Sequence, residues 1–245
     1  MELYVISDRG RVRETNEDFA AAAKIAGCGV FVLADGMGGA HAGEVASKTA
    51  GVLIMEYIKK RLQKNMSPGK IFSMLRGAVN RANIDVYTMA QTDKNLSGMG
   101  TTAEACVIAG NTAYVAHVGD SRVYKISPPG KIYCVTRDHS LVEHMVEIGA
   151  ISPEEAKTHP QRNVITRAVG TDKTVEADTY AVSIKNGDRL LICSDGLTNM
   201  LTDGEILKLA ASGSCEESAR KLVRDANSAG GYDNISVILA ECNAQ

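Results

Sequence analysis

The sequence predicts an α+β fold with largely antiparallel sheets, on three observations. Two long amphipathic stretches, residues 42–65 and 70–92, follow one another directly. Four or five short β-branched apolar runs then come in a row. The repeating strand-helix alternation that marks a parallel sheet is absent.

Taken in chain order, the apolar run at 3–6 opens as a strand. Residues 19–34 are apolar but are broken by Lys24, Gly27 and Gly29 and run straight into Asp35, which divides them into two strands, the second at 30–34. The stretch also falls short of the ~20 residues a membrane-spanning helix requires. The two helices come next, and Gly98 to Thr102 reads as a glycine-assisted turn into a core strand. Strands are expected at 102–109, 112–118, 122–126 and 131–135. Residues 138–170 are polar and carry Pro153 and Pro160, which predicts short helices and surface loop. A strand at 190–193, helices at 203–211 and 215–229, and a final strand at 235–239 complete the order. No repeat, low-complexity tract or linker interrupts it, so a single domain over residues 1–245 is expected.

Composition narrows the function. With 44% hydrophobic and 23% charged residues, 245 residues can bury roughly 70–75% of their unfolded surface, so the core is ample. A formal charge of −2 gives no general attraction to nucleic acid or to an anionic membrane, and 4% aromatic residues with no Trp argue against a nuclease surface. Acid stands near the N-terminus where an export signal needs base, and six cysteines are scattered without a CxxC pair. A cytoplasmic protein with reduced core thiols is expected.

The chemistry shows in where the aspartates fall. Asp35 ends the run 30–34, Asp120 follows 113–119, Asp195 follows 190–194, and Asp233 precedes 235–239. A single strand-end Asp is ordinarily a turn or a cap. Four at the ends of core strands are costly unless compensated, which points to a hard divalent cation held by oxygen, Mg²⁺ or Mn²⁺. Zinc would need Cys or His at short spacing, which His41, His139 and His144 do not supply. In Asp35-Gly36-Met37-Gly38-Gly39 the glycines let backbone approach a ligand and expose the Gly36 carbonyl, whereas a phosphate-binding loop would need a Lys-Ser/Thr ending. Arg13 stands close to Glu17 and Asp18; such a group is either a surface ion-pair cluster or a guanidinium phosphate clamp beside a metal site.

The ordered blocks Arg13-x-x-Asn16-Glu17-Asp18, Leu33 to Gly39, Gly98 to Thr102, Val118 to Arg122, Thr136 to Ser140, Asn163 to Gly170, Ser194 to Leu197 and Asp233-Asn234 resemble the bacterial PP2C-type (PPM) protein serine/threonine phosphatases over nearly the whole chain. The resemblance implies a four-layer α-β-β-α sandwich, two mostly antiparallel sheets flanked by helix pairs, with the metal centre in a cleft at one end. It implies that Asp35 bridges two metals, that the Gly36 carbonyl serves the second, and that Asp195 and Asp233 serve the first. Asp18, with Glu17 beside it, would support the second metal through water. Asp120 with Asp195 would hold a weaker third. Arg13 would bind the substrate phosphate, Asn234 would support from beside Asp233, and residues 141–162 would form the mobile flap that influences substrate choice.

The implied reaction is direct hydrolysis of phosphoserine and phosphothreonine by water at a two-metal centre, without a covalent phosphoenzyme. Arg13, Asp35 and Asp195 are its candidate catalytic residues. His139 fits a role fixing the start of the flap better than acid-base chemistry. The proton donor to the leaving group stays open: many bacterial members carry His where Ala40 stands, and His41 follows one place later. A non-catalytic phosphoprotein-binding regulator and another two-metal phosphoesterase are the alternatives; the first would ordinarily lack a metal aspartate, and none is lacking. The expected partners are phosphorylated proteins, the substrates of a cognate Ser/Thr kinase, and the kinase itself, with the chain a monomer.

Overall fold

The structure, a computed structural model, describes residues 1–242. Strands β1 (Glu2–Asp8), β2 (Asp18–Ile25) and β3 (Cys28–Met37) lead into helices α1 (Ala40–Arg61) and α2 (Pro68–Thr92). Five strands follow: β4 (Gly100–Thr101), β5 (Ala103–Ala109), β6 (Thr112–Val118), β7 (Arg122–Ser127) and β8 (Lys131–Cys134). Residues 141–162, the expected flap, contain α3 (Leu141–Glu147) and α4 (Pro153–Thr158). Beyond it come β9 (Asp178–Ser183), β10 (Arg189–Cys193), α5 (Asp195–Thr198), α6 (Asp203–Ala210), α7 (Cys215–Ser228) and β11 (Ile235–Glu241).

The strands form two antiparallel sheets, ordered β1-β11-β10-β7-β8 and β2-β3-β5-β6-β9, with β4 paired to β3. Their side chains alternate between two cores, which is why β3 reads as an unbroken apolar run. Val30 and Val32 pack under α1 and α2, while Phe31 and Leu33 point between the sheets against Ile192 and Ile238. On the far side Leu191, Val237 and Leu239 pack against α6 and α7 through Ile206 and Leu222. The result is the four-layer α-β-β-α sandwich.

Local signals set the boundaries. Helices α4, α6 and α7 open with reciprocal capping boxes, Ser152/Glu155, Thr202/Glu205 and Ser214/Glu217. Helix α1 spans Ala40–Arg61 rather than 42–65: Leu62 is extended, and Pro68 then takes the first position of α2. Two elements escape the sequence pattern. Strand β9 is a partly exposed edge strand paired only with β6, and α5 is a four-residue helix inside what reads as an Asp-Gly turn. No helix among the described residues is long and apolar enough to cross a membrane, and all six cysteines are free thiols.

Phe31 is fully buried at the centre of the inter-sheet core. Phe31→Ala should destabilise the fold by about 3–5 kcal/mol, read as a shift of the urea midpoint.

Candidate active site

Five aspartates collect where the strands of both sheets end. Asp18 opens β2 directly opposite Asp35 in β3, two carboxylates in cross-strand register that repel one another unless something compensates. Asp195 begins α5 with only Ser194 between it and β10, Asp233 is separated from β11 by Asn234 alone, and Asp120 follows β6 across Gly119. Polar neighbours fix their backbones and orient some of their oxygens. The Asp35 N–H donates to Thr102 Oγ1 at 2.9 Å, and its carbonyl accepts from Thr101 Oγ1 and the Thr102 N–H, both at 2.8 Å. Ser194 Oγ donates to Asp18 Oδ2 at 2.9 Å across the two sheets. Asn199, one helical turn beyond Asp195, donates to Asp195 Oδ2 at 2.9 Å.

Asn234 ties the N-terminal loop to the entry of β11. Its Oδ1 accepts from the Glu17 N–H at 2.8 Å, and its Nδ2 donates to the Arg9 and Thr15 carbonyls, both at 2.9 Å. That loop carries Arg13, whose Nη2 lies 2.8 Å from Asp233 Oδ2. The sequence places Arg13 beside Glu17 and Asp18; its ion pair is with Asp233. The Gly36 N–H donates to the Glu17 carbonyl at 3.2 Å. A Cβ on Gly36 would overlap the Gly43 carbonyl of α1 and sit 2.7 Å from the Glu17 carbonyl oxygen, so only glycine lets these three backbones meet. Gly38 (φ 118°) and Gly39 (φ 90°) then turn the chain into α1.

Charge is concentrated here. Burial, reinforced by Asp18, Asp195, Asp120 and Asp233, drives the Asp35 carboxyl well above the usual range. Burial raises Asp18 to about 7 and Asp195 to about 6, with neighbouring carboxylates adding to both. Asp120 rises well above its ordinary value through burial and then Asp195, and burial lifts Glu17 against the pull of Arg13. Arg13 is raised on balance: burial opposes its charge, but the hydrogen bond and charge of Asp233, with Glu17 and Asp35, outweigh it. Asp18, Asp35, Asp195 and Asp233 all keep partial exposure, as at the floor of a cleft.

A cation fits this arrangement. Among the described residues, Asp18 Oδ1 and Asp120 Oδ1 are buried without a hydrogen-bond partner, and the acids outnumber Arg13, the one cation paired with them. Among the described residues no three acidic, His or Cys side chains already close around a single point, so the fit rests on charge and unpaired oxygen. A cavity of about 680 Å³ runs from Asp120 and Asp195 between the flap, at Val142 and Arg162, and the α5–α6 segment, at Asn199 and Thr202. His41 is exposed on the first turn of α1 and makes no side-chain hydrogen bond among the described residues. Thr101, Thr102, Ser194 and Asn199 were not singled out from the sequence; the position of Asn199 four residues after Asp195 was the one signal available.

Known proteins resemble this chain in sequence and fold. The profile of the family Protein phosphatase 2C matches residues 9–226. The serine/threonine phosphatase stp of Listeria monocytogenes is 38% identical over 96% of this chain and 93% of its own length. The crystal structure of the serine/threonine phosphatase Stp1 from Staphylococcus aureus superposes with a TM-score of 0.92 at 35% identity, covering 99% of this chain and 96% of that one. The catalytic domain of the serine threonine protein phosphatase PstP, solved in complex with two manganese ions, superposes with a TM-score of 0.83 at 34% identity over 98% and 96% of the two chains. The profile match and the near full-length superpositions agree: the chain belongs to the protein phosphatase 2C family.

Proposed function

We propose that this cleft hydrolyses phosphoserine and phosphothreonine on proteins with divalent cations, Mn²⁺ or Mg²⁺, held by Asp18, Asp35, the Gly36 carbonyl, Asp195 and Asp233, and with Asp120 and Asp195 available to a third. The observation that carries the reading is the crowd of half-buried carboxylates with two unpaired oxygens beside a single paired arginine. When bound, the cations neutralise phosphoryl charge and make water nucleophilic near neutral pH.

The chain's own residues do the rest. Arg13 offers a guanidinium to the phosphoryl oxygens, and Asp233 holds it over the cleft. Thr101 and Thr102 lock the Asp35 backbone, Asn199 orients Asp195, and Ser194 holds one oxygen of Asp18 while the other is left without a partner for a cation. Glu17 and Asn234 hold the Arg13 loop against β11. Water is the default proton source for the leaving serine or threonine, and His41, exposed on the first turn of α1, is the alternative donor. The physiological substrates are then phosphoproteins of a cognate Ser/Thr kinase, met in the cytoplasm by a monomeric one-domain enzyme; the six free thiols fit that compartment.

The test is hydrolysis of a phosphothreonine peptide, a phosphotyrosine peptide and an aryl phosphate with Mn²⁺, Mg²⁺ or EDTA, for wild type and Arg13→Ala. Phosphothreonine release should require the metal, and Arg13→Ala should lower kcat/KM by about a hundredfold, the order lost with one oxyanion donor. A folded, metal-loaded wild type without turnover would leave the phosphoprotein-binding regulator in front.

A further inference from the structure

Two fully buried ionisable groups take no part in this chemistry. Glu104 of β5 and His117 of β6 stand opposite one another in the ladder, and both side chains are 0% exposed. They lie near the cleft end of the two strands, where charge is costly unless matched. His117 Nδ1 lies 2.5 Å from Glu104 Oε1, and its Nε2 lies 2.8 Å from the Arg137 carbonyl oxygen. A carbonyl can only accept, so Nε2 carries a hydrogen. One more proton must then lie between Nδ1 and Oε1, since two lone pairs at that distance repel. Glu104 Oε2 has no partner, so this proton is the only hydrogen that the carboxyl shares with its surroundings.

The pair meets the roots of the flap. Arg137 gives its carbonyl to His117, while its side chain bonds Glu143 at 2.7 Å and Glu147 at 3.0 Å on α3. The His139 ring lies 4.5 Å from the His117 ring, centroid to centroid, tilted by 39°. His139 Nδ1 accepts from the Gly119 N–H at 3.1 Å, its own N–H donates to the Gly119 carbonyl at 2.7 Å, and its carbonyl accepts from the Thr166 N–H at 2.8 Å. Leu141 and Val164 pair one step further out, at 2.8 Å. The first root therefore bonds His117 and Gly119, the residue before Asp120, and the second root is tied to the first through His139 and Leu141.

We propose that Glu104 and His117 are positioning residues of the flap: their shared buried proton holds the Arg137 carbonyl and seats the His139 ring, and through these fixes both flap roots relative to Asp120. The inference rests on the phosphatase reading only in calling the moving segment a substrate flap; the attachment itself is independent of it.

The surrounding charges set its pH dependence. Asp138 faces the pair from the flap root and Tyr180 from β9, its ring 6.4 Å from that of His117. Cys106 of β5 and Cys193 of β10 face Glu104 from the strands. Arg167, whose Nη1 donates to Asp178 Oδ1 at 2.7 Å and lies 2.9 Å from His139 Nε2, closes the outer side, with Asp178 Oδ2 3.4 Å from the same Nε2. Burial holds Glu104 up at about 7, and its carboxylate raises His117 against the burial that would lower it. His139 is pressed down to about 4, first by burial and then by His117 and Arg167, so it stays neutral. The shared proton is therefore present at neutral pH and lost on the alkaline side, where a carboxylate and a bare Nδ1 are left face to face.

Amide hydrogen exchange on the metal-loaded enzyme tests this without needing turnover, so an inactive wild type would overturn the phosphatase reading and leave this one standing. Glu104→Ala should lower the protection factors of the Leu141 and Thr166 amides about tenfold while those of β1 and β11 stay within about twofold. Glu104→Gln, whose amide can donate to Nδ1 without a titrating proton, should keep wild-type protection at pH 7 and retain it at pH 9, where the wild-type flap roots loosen. Unchanged flap-root protection in Glu104→Ala, or loss spread evenly over both sheets, would overturn the proposal. So would a Glu104→Gln profile that follows wild type from pH 7 to 9, which decides the question even if the alanine variant does not fold.

Discussion

Asp35→Asn should lower kcat/KM on a phosphothreonine peptide by more than about a hundredfold, beyond the range lost with partners that merely orient metal ligands. The same substitution should make the metal-free protein more stable. Asp35 faces Asp18 across the ladder, and both are raised by burial and by neighbouring carboxylates. A carboxyl raised on folding leaves the folded state with more bound protons than the unfolded chain, so metal-free stability falls as pH rises from about 4, the ordinary carboxyl value. The fall continues through the folded values of about 6 for Asp195 and about 7 for Asp18. Scanning calorimetry in EDTA should therefore give a lower Tm at pH 8 than at pH 5. At pH 8, Asp35→Asn should melt roughly 2–4 °C above wild type, about 1 kcal/mol for a chain of this length. Added Mn²⁺ should raise the wild-type Tm and leave the variant nearly unmoved. A variant that loses activity and also melts lower in EDTA would mean that Asp35 is structural.

Gly36→Ala should be more damaging to the fold than any surface change. The added methyl would meet the Gly43 carbonyl in α1 and the Glu17 carbonyl beside β2, and backbone on both sides leaves no flexible group to move aside. Helix α1 would have to lift from β3, at a cost of about 3 kcal/mol or more, with the cleft lost as well. Gly69→Ala in the first turn of α2, where nothing lies within 4 Å of the new methyl, is the control and should be neutral or stabilising by up to about 1 kcal/mol. Urea denaturation of the pair reads the contrast.

The fold was legible where a strand is buried on both faces. Runs such as 30–34 and 190–193 are buried on both faces, so their apolar continuity is visible without a partner. Strand β9, Asp-Thr-Tyr-Ala-Val-Ser, is a half-exposed edge whose identity depends on β6, and its pattern is correspondingly faint. The aspartates were legible because acid at the end of an apolar run is conspicuous. Thr101, Thr102 and Ser194, which hold them, are ordinary residues whose role exists only once two sheets meet. Glu104 and His117 were within reach. A two-residue turn at Gly110-Asn111 pairs Ala109 with Thr112, and equal steps back along both strands bring these two polar residues opposite each other.

The pairing of β1 with β11, the first strand with the last, carries a consequence for biosynthesis. While the chain is being made, β1 has no neighbour in its sheet, and Arg13 and Glu17 wait for Asp233 and Asn234 to emerge. Partial translation products thus present acids that nothing gathers and an apolar edge that nothing covers. The sheet closes only with β11, so a chain arrested before Asp233 lacks that residue and the strand and should be a client for proteases and not a weak enzyme.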